Sequence, residues 1–241
     1  MENDFFFPPY IGELYGKPDN FFNGKKVLVI GNSHYCDYGY PTNSDGTSNR
    51  EIGCSECPNR FVENVCPNSN HSWTWDAISD SKDLKNFSQA QKEKLTTYLK
   101  FAIIMEENFR RQGNLKENKS YLTFWESVAF YNFLQVAVPS NDSQGTPSEI
   151  EKSKEILNNL FPFMGSKYSL PDIIIVLGKG NVFNHFLDLS NFELIQDRLG
   201  KFKYKEKEIL IICINHPSRC GYATERARIK GFTPELFPDC Q

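Results

Sequence analysis

Three segments rich in apolar, β-branched residues limit what this chain can fold into. They are Val27–Ile30, Asp172–Leu177 and Glu208–Ile214. A continuous run of this kind is typical of a strand that is buried on both faces, as the strands of a parallel sheet are. Because segments with helical patterns lie between the three runs, the sequence predicts an α/β fold in which helices cover both faces of the sheet.

Polar or glycine-rich residues follow each of the three predicted strands. They are Gly31-Asn32-Ser33-His34-Tyr35, Gly178-Lys179-Gly180 and Asn215-His216-Pro217-Ser218. The carboxyl ends of parallel strands lie at one edge of a sheet, where open α/β sheets bind their ligands. The sequence therefore predicts a site at this edge, although glycine and asparagine would also suit ordinary strand-to-helix turns.

Helical patterns and an extended segment complete the prediction. We expect helices over 88–112, Phe124–Phe130, from Pro147 or Ser148 to about Leu160, Val182–Leu187 and Thr224–Lys230, and a strand or extended turn over Tyr131–Val138.

The composition favours a globular protein and excludes several classes. The 241 residues are 39% hydrophobic and 24% charged, which is sufficient for a full core. The net charge of −3 argues against a surface covered in nucleic-acid contacts, but allows a local basic cleft. No apolar run approaches the roughly 20 residues of a membrane-spanning helix, and the acidic start lacks a basic leader. We expect a cytoplasmic, monomeric protein without a membrane partner.

Four of the seven cysteines fall in or beside a long polar segment at about 36–80. They are Cys36, Cys54, Cys57 and Cys66. This pattern suits an intracellular metal site better than a secreted disulfide framework. Four thiolates can form a closed zinc site that orders the segment, with an iron–sulfur cluster as the second option. His71 could replace Cys36, and the alternative is a set of reduced, unligated thiols.

The strand-end motifs and two segments between them resemble the uracil-DNA glycosylase superfamily. Gly31-Asn32-Ser33-His34-Tyr35 resembles its first motif, and His216-Pro217-Ser218 resembles its second. Tyr131-Asn132-Phe133-Leu134 resembles the segment with the base-reading asparagine, and Val176-Leu177-Gly178-Lys179 resembles a strand that ends in glycine. The resemblance covers roughly residues 10–235. It implies one domain over residues 1–241, with a three-layer α/β/α fold, a central, mostly parallel four-stranded sheet and an inserted cysteine-rich loop at about 36–80.

The resemblance also implies a function: cleavage of the N-glycosidic bond of a deaminated or damaged base, of the uracil type, in DNA. Such an enzyme flips the base out of the duplex and reads its Watson–Crick edge. Asn132 would read the base, and a neutral His216 would stabilise the negative charge on the departing base. Gly31 would line the site, and Tyr35 matches a tyrosine that excludes thymine. Ser218 and Arg219 would hold the flanking phosphate.

One residue of the first motif departs from the family pattern. The best-known branch has an aspartate two residues after the motif glycine, where this chain has Ser33. Serine is a poor general base at neutral pH. Asn32 could hold the attacking water instead, and His34 could serve as a base or a second donor. The departure leaves open a module that binds a nucleobase or nucleic acid without excising anything.

A third interpretation is a flavodoxin-like domain that binds a small phosphate ligand. Its only glycine-loop candidate is Gly178-Lys179-Gly180, which is too short to cradle phosphates. We therefore expect no nucleotide cofactor.

Overall fold

The computed structural model describes residues 9–32, 34–35, 97–111, 113, 120–135, 137–138, 145–178 and 180–216. Its helices are α1 (Thr97–Arg111), α2 (Tyr121–Glu126), α3 (Pro147–Lys167) and α4 (Asn181–Leu187). Its strands are β1 (Tyr10–Ile11), β2 (Val27–Gly31), β3 (His34–Tyr35), β4 (Val128–Asn132), β5 (Ala137–Val138), β6 (Ile173–Leu177), β7 (Phe192–Gln196), β8 (Leu199–Tyr204) and β9 (Lys207–Ile214). The described chain is an α/β protein, as the sequence predicts.

The main sheet has seven strands in the order β1-β4-β2-β6-β9-β8-β7. Strands β2, β6 and β9 are parallel neighbours, with Ile30 opposite Val176 and Leu177 opposite Ile214. Strands β9, β8 and β7 pair antiparallel. The three strands predicted from the apolar runs are confirmed. A four-stranded, mostly parallel sheet is not, because the described residues form a larger, mixed sheet.

The chain forms two compact units, each of which takes three segments of the sequence. Unit 1 draws its described residues from Met1–Tyr10, Gly31–Trp73 and Tyr131–Leu170. Unit 2 draws its described residues from Ile11–Ile30, Thr74–Phe130 and Pro171–Gln241.

Helix α3 of unit 1 begins at a capping box, which is the residue pattern that satisfies the first backbone groups of a helix. Glu149 N donates to Thr146 Oγ1 at 3.4 Å, and Thr146 N donates to Glu149 Oε2 at 2.5 Å. The predicted start at Pro147 is therefore confirmed. The predicted end near Leu160 is wrong, because the helix continues through Pro162. Proline removes one helical hydrogen bond, but burial of Phe161, Phe163 and Met164 beside it favours the longer helix.

The segment before β4, in unit 2, differs from the prediction of a helix over Phe124–Phe130. Helix α2 ends at Glu126, and β4 begins at Val128. Ser120 N donates to Thr123 Oγ1 at 2.9 Å, which starts the helix earlier than expected.

An aromatic cluster forms much of the core of unit 2. Its rings meet edge-to-face, with centroids 5.0 to 6.3 Å apart: Phe21, Phe22, Tyr98, Phe101, Phe109, Phe124, Trp125 and Phe130. Edge-to-face packing is favoured by the charge distribution of aromatic rings. These aromatic side chains therefore serve the core rather than a ligand surface.

Strand β7 is the last strand of the sheet in unit 2 and carries an irregularity. Leu194 pairs with Gly200 and Gln196 pairs with Leu199, so that Ile195 is an extra, bulged residue. Leu194 and Ile195 are 52% and 48% exposed.

Asp172, just before β6 in unit 2, joins the start of three strands. Lys26 N donates to Asp172 Oδ2 at 2.8 Å, and Lys207 Nζ donates to Asp172 Oδ1 at 2.6 Å. Burial raises the pKa of this carboxyl, but the hydrogen bonds from Lys207 and Lys26 and the charges of both lysines outweigh burial and lower it overall. The ionised carboxylate therefore stabilises the folded state.

The lowered pKa of Asp172 predicts a pH-dependent contribution to stability. This contribution is fully present above the unfolded-state pKa of about 3.9 and is lost as pH falls through the folded-state pKa. We expect Asp172→Asn to lower the free energy of unfolding by about 1–2 kcal/mol at pH 7 and by less at pH 3. Urea unfolding of both proteins at the two pH values measures this difference. Glu208→Gln, which removes an exposed partner of Lys201, is the control and should change little. An Asp172→Asn penalty that is equal at both pH values would contradict the prediction.

Candidate functional site

The segments after β2 and β4 run side by side in unit 1. Phe133 N donates to Gly31 O at 3.0 Å, and Leu134 N donates to Asn32 O at 2.8 Å. The carboxyl ends of β2 and β4 are therefore neighbours. Two sequence-predicted groups, the first motif and the segment with the base-reading asparagine, are brought together by backbone hydrogen bonds.

The same two segments pair again a few residues further on. Strand β3 is parallel to β5, with His34 opposite Ala137 and Tyr35 opposite Val138. The backbones of His34 and Tyr35 are thus tied to the chain that follows Asn132. The pairing of β3 with β5 thus restrains the backbone of the first motif at His34 and Tyr35.

Asn132 is 2% exposed at the end of β4, and two polar residues hold the turn behind it. Gln135 Nε2 donates to Asn132 O at 2.8 Å, and Gln135 N donates to Ser153 Oγ at 3.1 Å. Sequence reasoning missed both supporting residues. Ser153 could have been found, because it lies on the buried face of α3 with Ile156 and Leu157. Nothing in the sequence singles out Gln135.

Gly178 and His216 lie close together in unit 2, at the carboxyl ends of β6 and β9. Gly178 N donates to Ile214 O at 2.8 Å. Gly178 has a φ of +108°, which favours glycine, and a Cβ atom built there would lie 3.6 Å from His216 Cβ. His216 is half-buried. The glycine thus allows the backbone to turn directly beside the histidine.

Arg198 contacts the residue before His216, and sequence reasoning missed it. It lies in the turn between β7 and β8, and its Nη1 donates to Asn215 Oδ1. Cys213 N donates to Arg198 O at 2.8 Å, so the turn is also tied to β9 through its backbone. Only the register of the hairpin brings Arg198 to this position, and no local sequence pattern signals it.

The side chains of these groups offer distinct chemistry. The amide of Asn132 has a donor and an acceptor side by side, as recognition of a base edge requires. The imidazole of His216 can donate a hydrogen bond while neutral and can stabilise charge that develops on an oxygen.

Several predicted site residues lie outside the described residues. They are Ser33, Cys36, Cys54, Cys57, Cys66, Ser218 and Arg219, together with Lys179, His71 and the helix over Thr224–Lys230. For His34 and Tyr35 the structure describes the backbone only.

Within residues 9–32, 97–111, 120–135 and the other described segments, no three His, Cys, Asp or Glu side chains are grouped so as to hold a metal ion. The four-cysteine site therefore stays a prediction. Among the helices of the described part, none combines the length and apolar character needed to cross a bilayer.

Comparisons with known proteins give no assignment. Models of known protein families do not match the chain, and curated proteins give no match either.

Proposed function

We propose that the chain is a DNA glycosylase-like hydrolase on a three-layer α/β/α fold. Its reaction is cleavage of the N-glycosidic bond of a deaminated or damaged base, of the uracil type, in DNA. Water adds to the sugar carbon and gives up a proton, the bond to the base nitrogen breaks, and the base leaves with the bonding electrons and then takes up a proton from solvent. The observation that carries the proposal is the parallel pairing of β2, β6 and β9, whose carboxyl ends precede the three polar segments.

The strand order supports a ligand site at this edge. Along the chain, β2 is followed by β4 on one side of it, and the chain returns to β6 on its other side. Such a reversal is a topological switch point, and open α/β sheets bind ligands beyond the carboxyl ends of the strands there.

Asn132 is the proposed base reader. Its side chain is withdrawn from solvent, and the hydrogen bonds of Gln135 and Leu134 restrain the backbone that carries it. A base with the wrong edge would leave this buried amide without its hydrogen bonds. The amide therefore discriminates strongly between bases.

His216 is the proposed donor to the departing base. A preorganised donor at a partly desolvated position stabilises the leaving negative charge more than bulk water does. Asn32 is the proposed water-holding group, and His34 is the proposed base or second donor, because Ser33 is a poor general base.

The second candidate function is a module that binds a nucleobase or nucleic acid without excision. Ser33, at the position where the best-known branch has aspartate, favours this candidate, as does the net charge of −3. Both candidates use the same residues for recognition, but only the first releases a free base.

A base-release assay with an Asn132 variant tests the proposal. Wild type and Asn132→Ala are incubated with single- and double-stranded oligonucleotides that carry uracil, hypoxanthine, xanthine or a thymine mismatch. We expect abasic sites on one of these substrates with wild type, and at least about a tenfold lower rate with Asn132→Ala, because the lost amide leaves the base edge unpaired.

Asn158→Ala, on the exposed side of α3, is the matched control and should release base at the wild-type rate. Thermal unfolding confirms that each variant is folded. No release by folded, metal-replete wild type on any substrate would reject the glycosylase in favour of the binding module. Measured affinity for the same oligonucleotides, weakened by Asn132→Ala, would then support that module.

A further inference from the structure

Arg198 occupies a backbone position that arginine rarely adopts. It is the second residue of the two-residue turn between Gln196 and Leu199, and its φ is +68°. Glycine or asparagine is usual at such positions, because other side chains are strained there. Because the position does not favour arginine, the contacts of its side chain bear on why arginine is found there.

The contacts of Arg198 indicate what that use is. Its side chain is 19% exposed, and its Nη1 donates to Asn215 Oδ1. The side chain also contacts Asp197, which is 73% exposed, with 3.5 Å between the Nε atom of Arg198 and the Oδ2 atom of Asp197. An exposed ion pair contributes little, so the hydrogen bond to Asn215 is the specific contact.

This contact constrains the chain just before His216. The backbone of Arg198 holds Cys213, and its side chain holds Asn215, so the turn is bonded to β9 and to the first residue beyond it. His216 follows Asn215 directly, with Gly178 beside it. An arginine donor also fixes which way the amide of Asn215 faces, since guanidinium can only donate.

We propose that Arg198 is a positioning residue, which orients Asn215 and thereby sets the placement of the His216 imidazole. The effect of Arg198 on the rate of base release rests on the proposed function, whereas its effect on the geometry of His216 does not. Arg198 acts through Asn215 and need not touch the substrate.

Replacement by glycine separates the effect of the Arg198 side chain from the effect of its backbone position. Arg198→Gly removes the side chain but suits the positive φ, so we expect a melting temperature within about 4 °C of wild type. The NMR signals of the His216 imidazole and the Asn215 side-chain amide should shift in the free protein, with the His216 signal assigned by His216→Gln. In base release, kcat should fall on the order of 10–100-fold with KM changed less than about twofold, as for a misplaced group.

Lys205 offers a matched control. It is also basic, also has positive φ, at 53°, and also lies in a two-residue turn, between β8 and β9. Lys205→Gly should leave both NMR signals and kcat unchanged. Unshifted signals in Arg198→Gly, or equal shifts in Lys205→Gly, would overturn the inference. The NMR measurement needs no substrate. If the wild type releases no base, the proposed function is rejected, and the NMR signals of His216 and Asn215 still decide this inference.

Discussion

Replacement of His216 by alanine is expected to slow base release by a factor on the order of 10²–10³, which is typical for removal of one preorganised donor. The departing base takes the bonding electrons, and water that replaces the imidazole must reorganise at the moment of reaction. Gly178 N bonds to β9, and a Cβ atom at Gly178 would lie 3.6 Å from His216 Cβ, so the histidine lies at a fixed strand end. Single-turnover release from the substrate found for wild type measures the effect.

The control for this prediction is His185→Gln. His185 is a buried histidine of α4 in the same unit and is not one of the predicted site residues. Its variant should release base at the wild-type rate per folded molecule, with folding checked by thermal unfolding. Wild-type rates in His216→Ala would show that another group carries the charge of the departing base.

The second large effect is expected in the core of unit 2. Phe124→Ala should lower the free energy of unfolding by about 3–5 kcal/mol, because it removes a large ring and leaves a cavity. Phe124 is fully buried and packs against Phe21, Phe101 and Trp125 at ring centroid distances of 5.4, 5.3 and 5.0 Å. Equilibrium unfolding in urea, with far-UV circular dichroism, measures the loss.

Two further variants make this measurement specific. Phe124→Leu keeps most of the volume and should lose less than Phe124→Ala. Tyr168→Ala, at a side chain that is 42% exposed, should change stability little. A loss in Phe124→Ala no larger than that in Tyr168→Ala would mean that the aromatic cluster contributes little to stability.

The strands that the sequence predicts well are those buried on both faces. Strands β2, β6 and β9 are uninterrupted apolar runs over most of their length, which only a buried strand or a buried helix explains. The β7–β8 hairpin escapes prediction because β7 is largely exposed and the turn, Asp197-Arg198, lacks the usual glycine. Phe124–Phe130 is apolar except at Glu126 and Ser127, and periodicity could not divide so short a segment into a helix and a strand.

Some residues of the candidate site could also be proposed from the sequence, and others could not. Residues that follow predicted strands, such as Asn32 and His216, can be proposed from sequence because the strand end gives them a place. Arg198, Gln135 and Ser153 could not be assigned this way. Arg198 reaches Asn215 through hairpin register, and Gln135 reaches Ser153 through helix packing, which no local pattern encodes, although helical periodicity places Ser153 on the buried face of α3.

The bulge in β7 also affects whether two molecules can associate through the edges of their sheets. A strand at the end of a sheet offers unpaired backbone groups that can template growth between molecules. At Ile195 the regular spacing of those groups is interrupted, and the added twist turns the strand away from a flat partner. Among the described strands, the apolar side chains of Leu194 and Ile195 therefore lie on an edge where the bulge disfavours continuous pairing, and we expect it to oppose edge-to-edge association.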